Sequence, residues 1–172
     1  AEEHLRSAYQ RIMDGDATTA LKAAIAAGTI QAAEEPTGLL TSSLSTMGSA
    51  TTPAEARTAA CGVGAAVGAL GAAAVMANGV VDALTAVLDA KKKDAPSSRE
   101  AGYMAVGLLS AALGYRFEPW SIPMLTKLVK AFTDKDKAVA DAASKTGRAV
   151  QDRVQKALLG AKSPNARAAV QI

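Results

Sequence analysis

Histidine and cysteine occur once each in the 172 residues, at His4 and Cys61, and aromatic residues make up only 3%. One cysteine excludes an internal disulfide and fits a reducing compartment. One His and one Cys offer no ligand set for zinc and no Cys–His nucleophile pair. His4 reads as a solvated terminal residue, and Cys61 as a small buried hydrophobe. With so few aromatics, a hydrophobic content of 49% falls mainly on Ala, with Leu, Val and Ile. That composition suits closely approaching helices and argues against a β-sandwich or barrel. Charge of neither sign dominates: the net value is +3, from 19 basic and 16 acidic residues. This falls short of a dedicated nucleic-acid binder but permits an acidic partner. No charged-then-apolar signal segment follows Ala1. The absent initiator Met, and the apolar pattern still running at Val170 and Ile172, lead us to expect a piece of a longer protein.

Residues 62–81 form a long uncharged run that needs a membrane test. They are long enough for a membrane span and contain the small-xxx-small pair Gly64 and Gly68. However, Ala and Gly are weakly hydrophobic, and Gly71 and Asn78-Gly79 punctuate the run. The expectation is therefore no membrane span. We expect the end of one buried helix, a turn at Leu70-Gly71 and the start of another helix.

Helical periodicity accounts for most of the chain, and no strand is expected. Short helices are predicted over residues 3–13 and 17–27, and a third within 37–47 after Pro36. Thr52, Pro53 and Glu55 form a helix start: a capping hydroxyl, a proline in the first turn and an acid near the N-terminus. That helix runs to about Leu70, and the next from Ala72 or Val80 to Ala90. After the polar linker 91–98, Ser98 is placed as the cap of a helix reaching Leu113, ended by Gly114. Another helix opens at Pro119 or Ser121 and runs through Phe132. The last long helix runs from about Asp136 to Leu159, stopped by Gly160, and Pro164 marks a new start.

The helices repeat. Residues 55–71 resemble residues 98–114, with Arg57 and Arg99 separated by 42 positions and Gly71 and Gly114 by 43. A third copy, at residues 138–150, places Ala142 41 positions after Ala101. That is the period of two-helix HEAT or armadillo units. In the third pair, Leu125, Leu128, Val129 and Phe132 are expected on one face of the first helix. Val139, Ala142, Ala143, Thr146, Val150 and Val154 share a face of the second. Phe117 and Trp120 are expected to plug the joint between pairs. The fold expected is all-α, a HEAT/armadillo-like α-solenoid of about four helix pairs. Residues 1–50 would be an N-terminal helical segment or degenerate repeat, 51–160 the repeats, and 161–172 the start of a further repeat or a tail.

Leu113-Gly114 followed by Arg116-Phe117-Glu118-Pro119-Trp120, between the preceding helix and residues 124–143, resembles a known group. It is similar to the HEAT repeats of fungal-type translation elongation factor 3. It is equally similar to those of the related ribosome-associated activator of the general-control initiation-factor kinase. The resemblance covers residues 80–154. The chain departs from the group where Thr126 replaces the usual first-helix proline, Pro123 lying one turn earlier, and where Val139-Ala140 lacks the usual arginine. Asp134 keeps the aspartate between the helices. The resemblance implies a cytoplasmic translation factor whose HEAT region docks on the ribosome. Its ATPase cassettes would lie outside this chain.

Catalytic signatures are missing. Residues 158–163 lack the second glycine of a phosphate-binding loop, having Ala161 there. Residues 62–68 have the wrong spacing for a dinucleotide fingerprint. Asp134 and Asp136 open a calcium-like loop that lacks its glycine and closing glutamate. Glu34 and Glu35 are adjacent and expected to be solvated, not an acid/base pair. No cofactor, metal, small-molecule substrate or catalytic residue is therefore expected. What remains is basic surface: Lys91, Lys92 and Lys93 in the linker, and Lys135 and Lys137 between the two helices of the third pair. Lys127, Lys130, Lys145 and Arg148 lie near them. These lysines are the candidate contacts for ribosomal RNA, ribosomal proteins or another protein partner. The alternatives are an ordinary solvated face, or a generic HEAT scaffold with a purely protein partner.

Overall fold

The structure is a computed structural model that describes residues 35–90 and 95–160, with side chains through Asp152. The helices expected over residues 3–13 and 17–27, His4, Glu34, Lys91, Lys92, Lys93 and everything after Gly160 lie outside the described residues. Seven α-helices occur in the described part: α1 (Pro36–Ser49), α2 (Pro53–Leu70), α3 (Ala73–Ala77), α4 (Val80–Leu88), α5 (Pro96–Leu113), α6 (Glu118–Ala131) and α7 (Lys137–Gly160). A 3₁₀ turn, Gly114–Phe117, joins α5 to α6. No strand occurs among the described residues.

Local chemistry sets most boundaries. Thr52 accepts a hydrogen bond from the Glu55 amide at 3.3 Å, and the Glu55 carboxylate accepts from the Thr52 amide at 3.4 Å. This closes the expected capping box on α2. The Glu55 carboxyl is held below its ordinary range, first by the Thr51 amide that donates to it. Gly71, at φ +86°, ends α2 as predicted. The uncharged run of residues 62–81 is broken there and again at Gly79, where φ is +60°. A helix through both points would force each glycine out of the left-handed region it occupies, so α3 and α4 are separate helices. Among the described residues, no helix is long and apolar enough to cross a membrane. Ser98 is not the cap of α5. The helix starts earlier, at Pro96, whose fixed φ favours the first turn, and Ser98 is buried within it. Asp136 caps α7, accepting from the Ala138 amide at 3.0 Å and the Val139 amide at 3.2 Å.

The helices form three pairs among the described residues: α1 with α2, α4 with α5, and α6 with α7. The second helices α2, α5 and α7 pack side by side as one layer, with the first helices laid against them. This is the stacking of an all-α HEAT-type solenoid. Within each pair, a glycine of the second helix faces the first helix where there is no room for a Cβ. A Cβ on Gly62 would stand 2.2 Å from Ser43 Oγ of α1. On Gly102 it would meet Leu88 of α4 at 2.9 Å, and on Gly147 Phe132 at the end of α6 at 2.8 Å. The small residues of the sequence thus do what their abundance suggested: they bring backbones together.

Polar links tie successive second helices. Arg57 donates from Nε to Glu100 Oε1 at 2.9 Å, from α2 to α5. Thr146 of α7 donates to the Tyr103 carbonyl of α5 at 2.7 Å. Both links span 43 residues, one repeat. The core consists of aliphatic side chains such as Leu40, Leu84, Leu108 and Val139, all fully buried, each contributing about 1.5–3 kcal/mol. Phe117 is buried at the joint between pairs, its ring centroid 6.1 Å from that of the part-buried Trp120, as expected. Val139, Ala143 and Thr146 are buried, while Ala142 and Val150 are partly so. The expected α6 face needs correction. Leu128 is buried, but Leu125, Val129 and Phe132 are exposed. The face turned to the core is Ser121, Met124, Leu128 and Ala131, one residue out of phase.

Candidate docking surface

The edge carrying the turns between first and second helices gathers the charged residues of the second and third pairs. Lys127, on the last turns of α6, reaches across and ion-pairs with Asp89 after α4. Its backbone carbonyl also accepts the Tyr103 hydroxyl at 3.1 Å. Between these groups lies a cleft of about 330 Å³. Asp89, Arg99, Tyr103, Lys127, Lys130 and Asp134 supply its polar lining.

Arg99 and Asp134 form the floor. Their side chains are 3% and 5% exposed and stand 3.6 Å apart. Asp134 also accepts the Asp136 amide at 3.0 Å, which fixes the turn into α7. The two aspartates that suggested a calcium loop are therefore engaged, one with Arg99 and one at the α7 N-terminus. Burial, and next the Asp134 charge, hold the Tyr103 phenol above its ordinary pKa. Tyr103 thus stays a neutral hydrogen-bond donor.

Two of the expected contact lysines can be placed. Lys135 is exposed in the turn and has no ion-pair partner among the described residues. Lys137 is exposed but paired with Asp141 one helical turn on, at 2.9 Å. The hydrogen bond that Lys137 donates to the Asp141 carboxylate raises its pKa. A pair this exposed is screened by water, contributes little to stability and does not stop Lys137 from turning to another anion. Lys130 belongs with them: it is exposed, lines the cleft and has no ion-pair partner among the described residues. Lys91, Lys92 and Lys93 fall outside the described residues; they follow in sequence on Ala90, which is part of the cleft wall.

Sequence reasoning missed the Lys127–Asp89 bridge and the buried Arg99–Asp134 pair. The available signals were the recurrence of Arg57 and Arg99 at nearly one repeat, and Lys127 and Lys130 three apart on one helix.

Among the described residues, no group of three His, Cys, Asp or Glu could hold a metal ion. The Cys61 thiol is buried, and burial pushes its pKa up to about 12. At pH 8 that leaves about a thousandfold less thiolate than an exposed cysteine has. Native chain is therefore expected to react with a disulfide reagent at least about a thousandfold more slowly than urea-unfolded chain. Comparable rates would contradict the burial.

A family model of the EF3 N-terminal HEAT repeat matches residues 56–164, well over half of the chain. The chain is also similar to the eIF-2-alpha kinase activator GCN1 of Dictyostelium discoideum, at 32% identity over 101 residues. That alignment covers 59% of this chain and 4% of the relative, so the chain spans a small part of that protein's length. No solved structure matches. The match begins at Ala56 on α2 and takes in both complete stacking contacts, α2 on α5 and α5 on α7. The chain belongs to the EF3 N-terminal HEAT repeat family.

Proposed function

We propose that this chain is a non-catalytic ribosome-docking region of a cytoplasmic translation factor of the elongation factor 3 type. The observation that carries the reading is the family match itself, over residues 56–164. The surface is compatible with it. Lys130 and Lys135 stand unpaired among the described residues on the turn edge, and in sequence Lys91, Lys92 and Lys93 follow directly on Ala90 of that edge. An exposed ammonium on a rigid helix end is well placed to neutralise an RNA phosphate, releasing counterions as it does so. The array itself would contribute position, by holding the edge at a fixed spacing.

The second reading is a HEAT scaffold for a purely protein partner. It draws on the other end of the second helices, where Met76 and Tyr115 are 75% and 70% exposed.

Co-sedimentation with purified eukaryotic ribosomes over a salt series separates the two. Docking through phosphates predicts salt-sensitive pelleting. The Lys130→Glu/Lys135→Glu variant should lower the salt slope by about 1–2. A Lys91→Glu/Lys92→Glu/Lys93→Glu variant should lower it further. Absence of pelleting at low salt would overturn the docking reading and favour the scaffold.

A further inference from the structure

The cleft between α4 and α6 holds an uneven set of charges. Arg99, Lys127 and Lys130 line it with Asp89 and Asp134, three cations against two carboxylates. Both carboxylates are engaged. Asp134 lies on the floor, facing Arg99 and accepting the Asp136 amide. Asp89, at the C-terminal end of α4, ion-pairs with Lys127 of α6. The excess positive charge therefore sits at Lys130, which is exposed and lies three residues beyond Lys127, beside it on α6. The two pairs differ in how firmly they are held. The Arg99–Asp134 pair is enclosed, whereas the side chains of Lys127 and Asp89 are 32% and 55% exposed. A pair in contact with water is held weakly, and another anion replaces its partner at little cost. Lys127 is fixed only at its root, where its backbone carbonyl accepts the Tyr103 hydroxyl at 3.1 Å. To change partners, only the side chain has to swing.

We propose that this cleft seats one phosphodiester of an RNA strand between Lys127 and Lys130, and that Asp89 occupies Lys127 until the phosphate displaces it. A phosphodiester has two non-ester oxygens, so each ammonium can take one in a charge-assisted hydrogen bond. Its single negative charge matches the single excess charge of the cleft. A carboxylate would match that charge equally well. RNA is favoured because its charges recur along the strand, and Lys135, exposed in the turn after α6, is placed for a neighbouring one. The seat presupposes docking on the ribosome by the turn edge, and it makes Asp89 a competitor whose removal strengthens docking.

Pelleting of the full 172-residue chain with ribosomes over a salt series tests this. Asp89→Asn is expected to bind about threefold more tightly than wild type at low salt, with the salt slope steeper by up to about 1. Asp82→Asn makes the same charge change at an exposed position in the first turn of α4, and is expected to stay within about 1.5-fold of wild type. In a Lys127→Gln background, Asp89→Asn should lose its effect, since no lysine is left for it to release. Protein-free ribosomal RNA should compete with the ribosomes, and polyglutamate of equal charge should not. Wild-type chain that fails to pellet at low salt would overturn the docking reading and the seat together. Wild type that pellets, with Asp89→Asn no tighter than Asp82→Asn, would overturn the seat alone. A gain that persists in the Lys127→Gln background would also overturn it, as a general charge effect. Failure of the RNA to compete, or competition by polyglutamate, would overturn RNA as the occupant, and the second result would point to an acidic protein segment.

Discussion

Asp134→Ala is expected to lower the unfolding free energy by about 3 kcal/mol, because it removes the carboxylate facing a buried guanidinium. The loss comes less from the attraction between the two charges than from desolvation. Arg99 is 2% exposed and cannot regain its water while α5 and α7 stay packed. Asp134 has a second role, since its carboxylate accepts the Asp136 amide. Asp134→Asn keeps an oxygen for that amide and removes the charge, so it divides the two effects. If the charge dominates, Asn should lose most of what Ala loses. Urea unfolding of the three proteins decides it, and an Ala variant within about 0.5 kcal/mol of wild type would remove the pair from the account.

Gly62→Leu is expected to cost 3 kcal/mol or more, on the order of the upper range for overpacked cores. Even one added carbon would meet Ser43 Oγ at 2.2 Å and Ser43 Cβ at 3.1 Å. The hydroxyl can rotate away; the Cβ cannot move without shifting α1. Gly62→Ala therefore sets a clash against a gain of about 1 kcal/mol in helix propensity. A net cost of about 1 kcal/mol is expected. Ser43→Ala removes the nearer atom and should recover part of that cost, a coupling of about 0.5–1 kcal/mol in a double-mutant cycle. Additive effects would mean that α1 and α2 do not touch at this pair.

What was legible in the sequence was mostly local. Thr52, Pro53 and Glu55 announced α2 because a capping box needs only neighbouring residues. Leu-Gly at 70–71 and 113–114 marked helix ends because glycine accepts the backbone conformation found there. The solenoid followed from the recurrence at 41 to 43 residues, since stacked pairs bury the same positions in turn. Facing was harder. Leu128 belongs to a buried stripe with Ser121 and Met124, while Leu125, Val129 and Phe132 form a second stripe beside it. Both are apolar at helical spacing, and periodicity alone does not say which one meets the partner helix. The charged residues were hard for a different reason. Arg99 and Asp134 lie in polar stretches, and only the stacking of pairs encloses both. Of the candidate contacts, Lys135 and Lys137 came out exposed as a charged turn suggests, while the partner of Lys127 lies in another pair and no local pattern reveals it.

Lysine footprinting of the chain with and without ribosomes tests the proposed docking most directly. Each lysine is acetylated briefly and its modification quantified by mass spectrometry. Docking by the turn edge predicts that Lys130 and Lys135 lose reactivity when ribosomes are added, by about threefold or more, and regain it at high salt. Reactivity unchanged at every lysine, under conditions where the ribosomes are intact and in excess, would contradict ribosome docking by this edge.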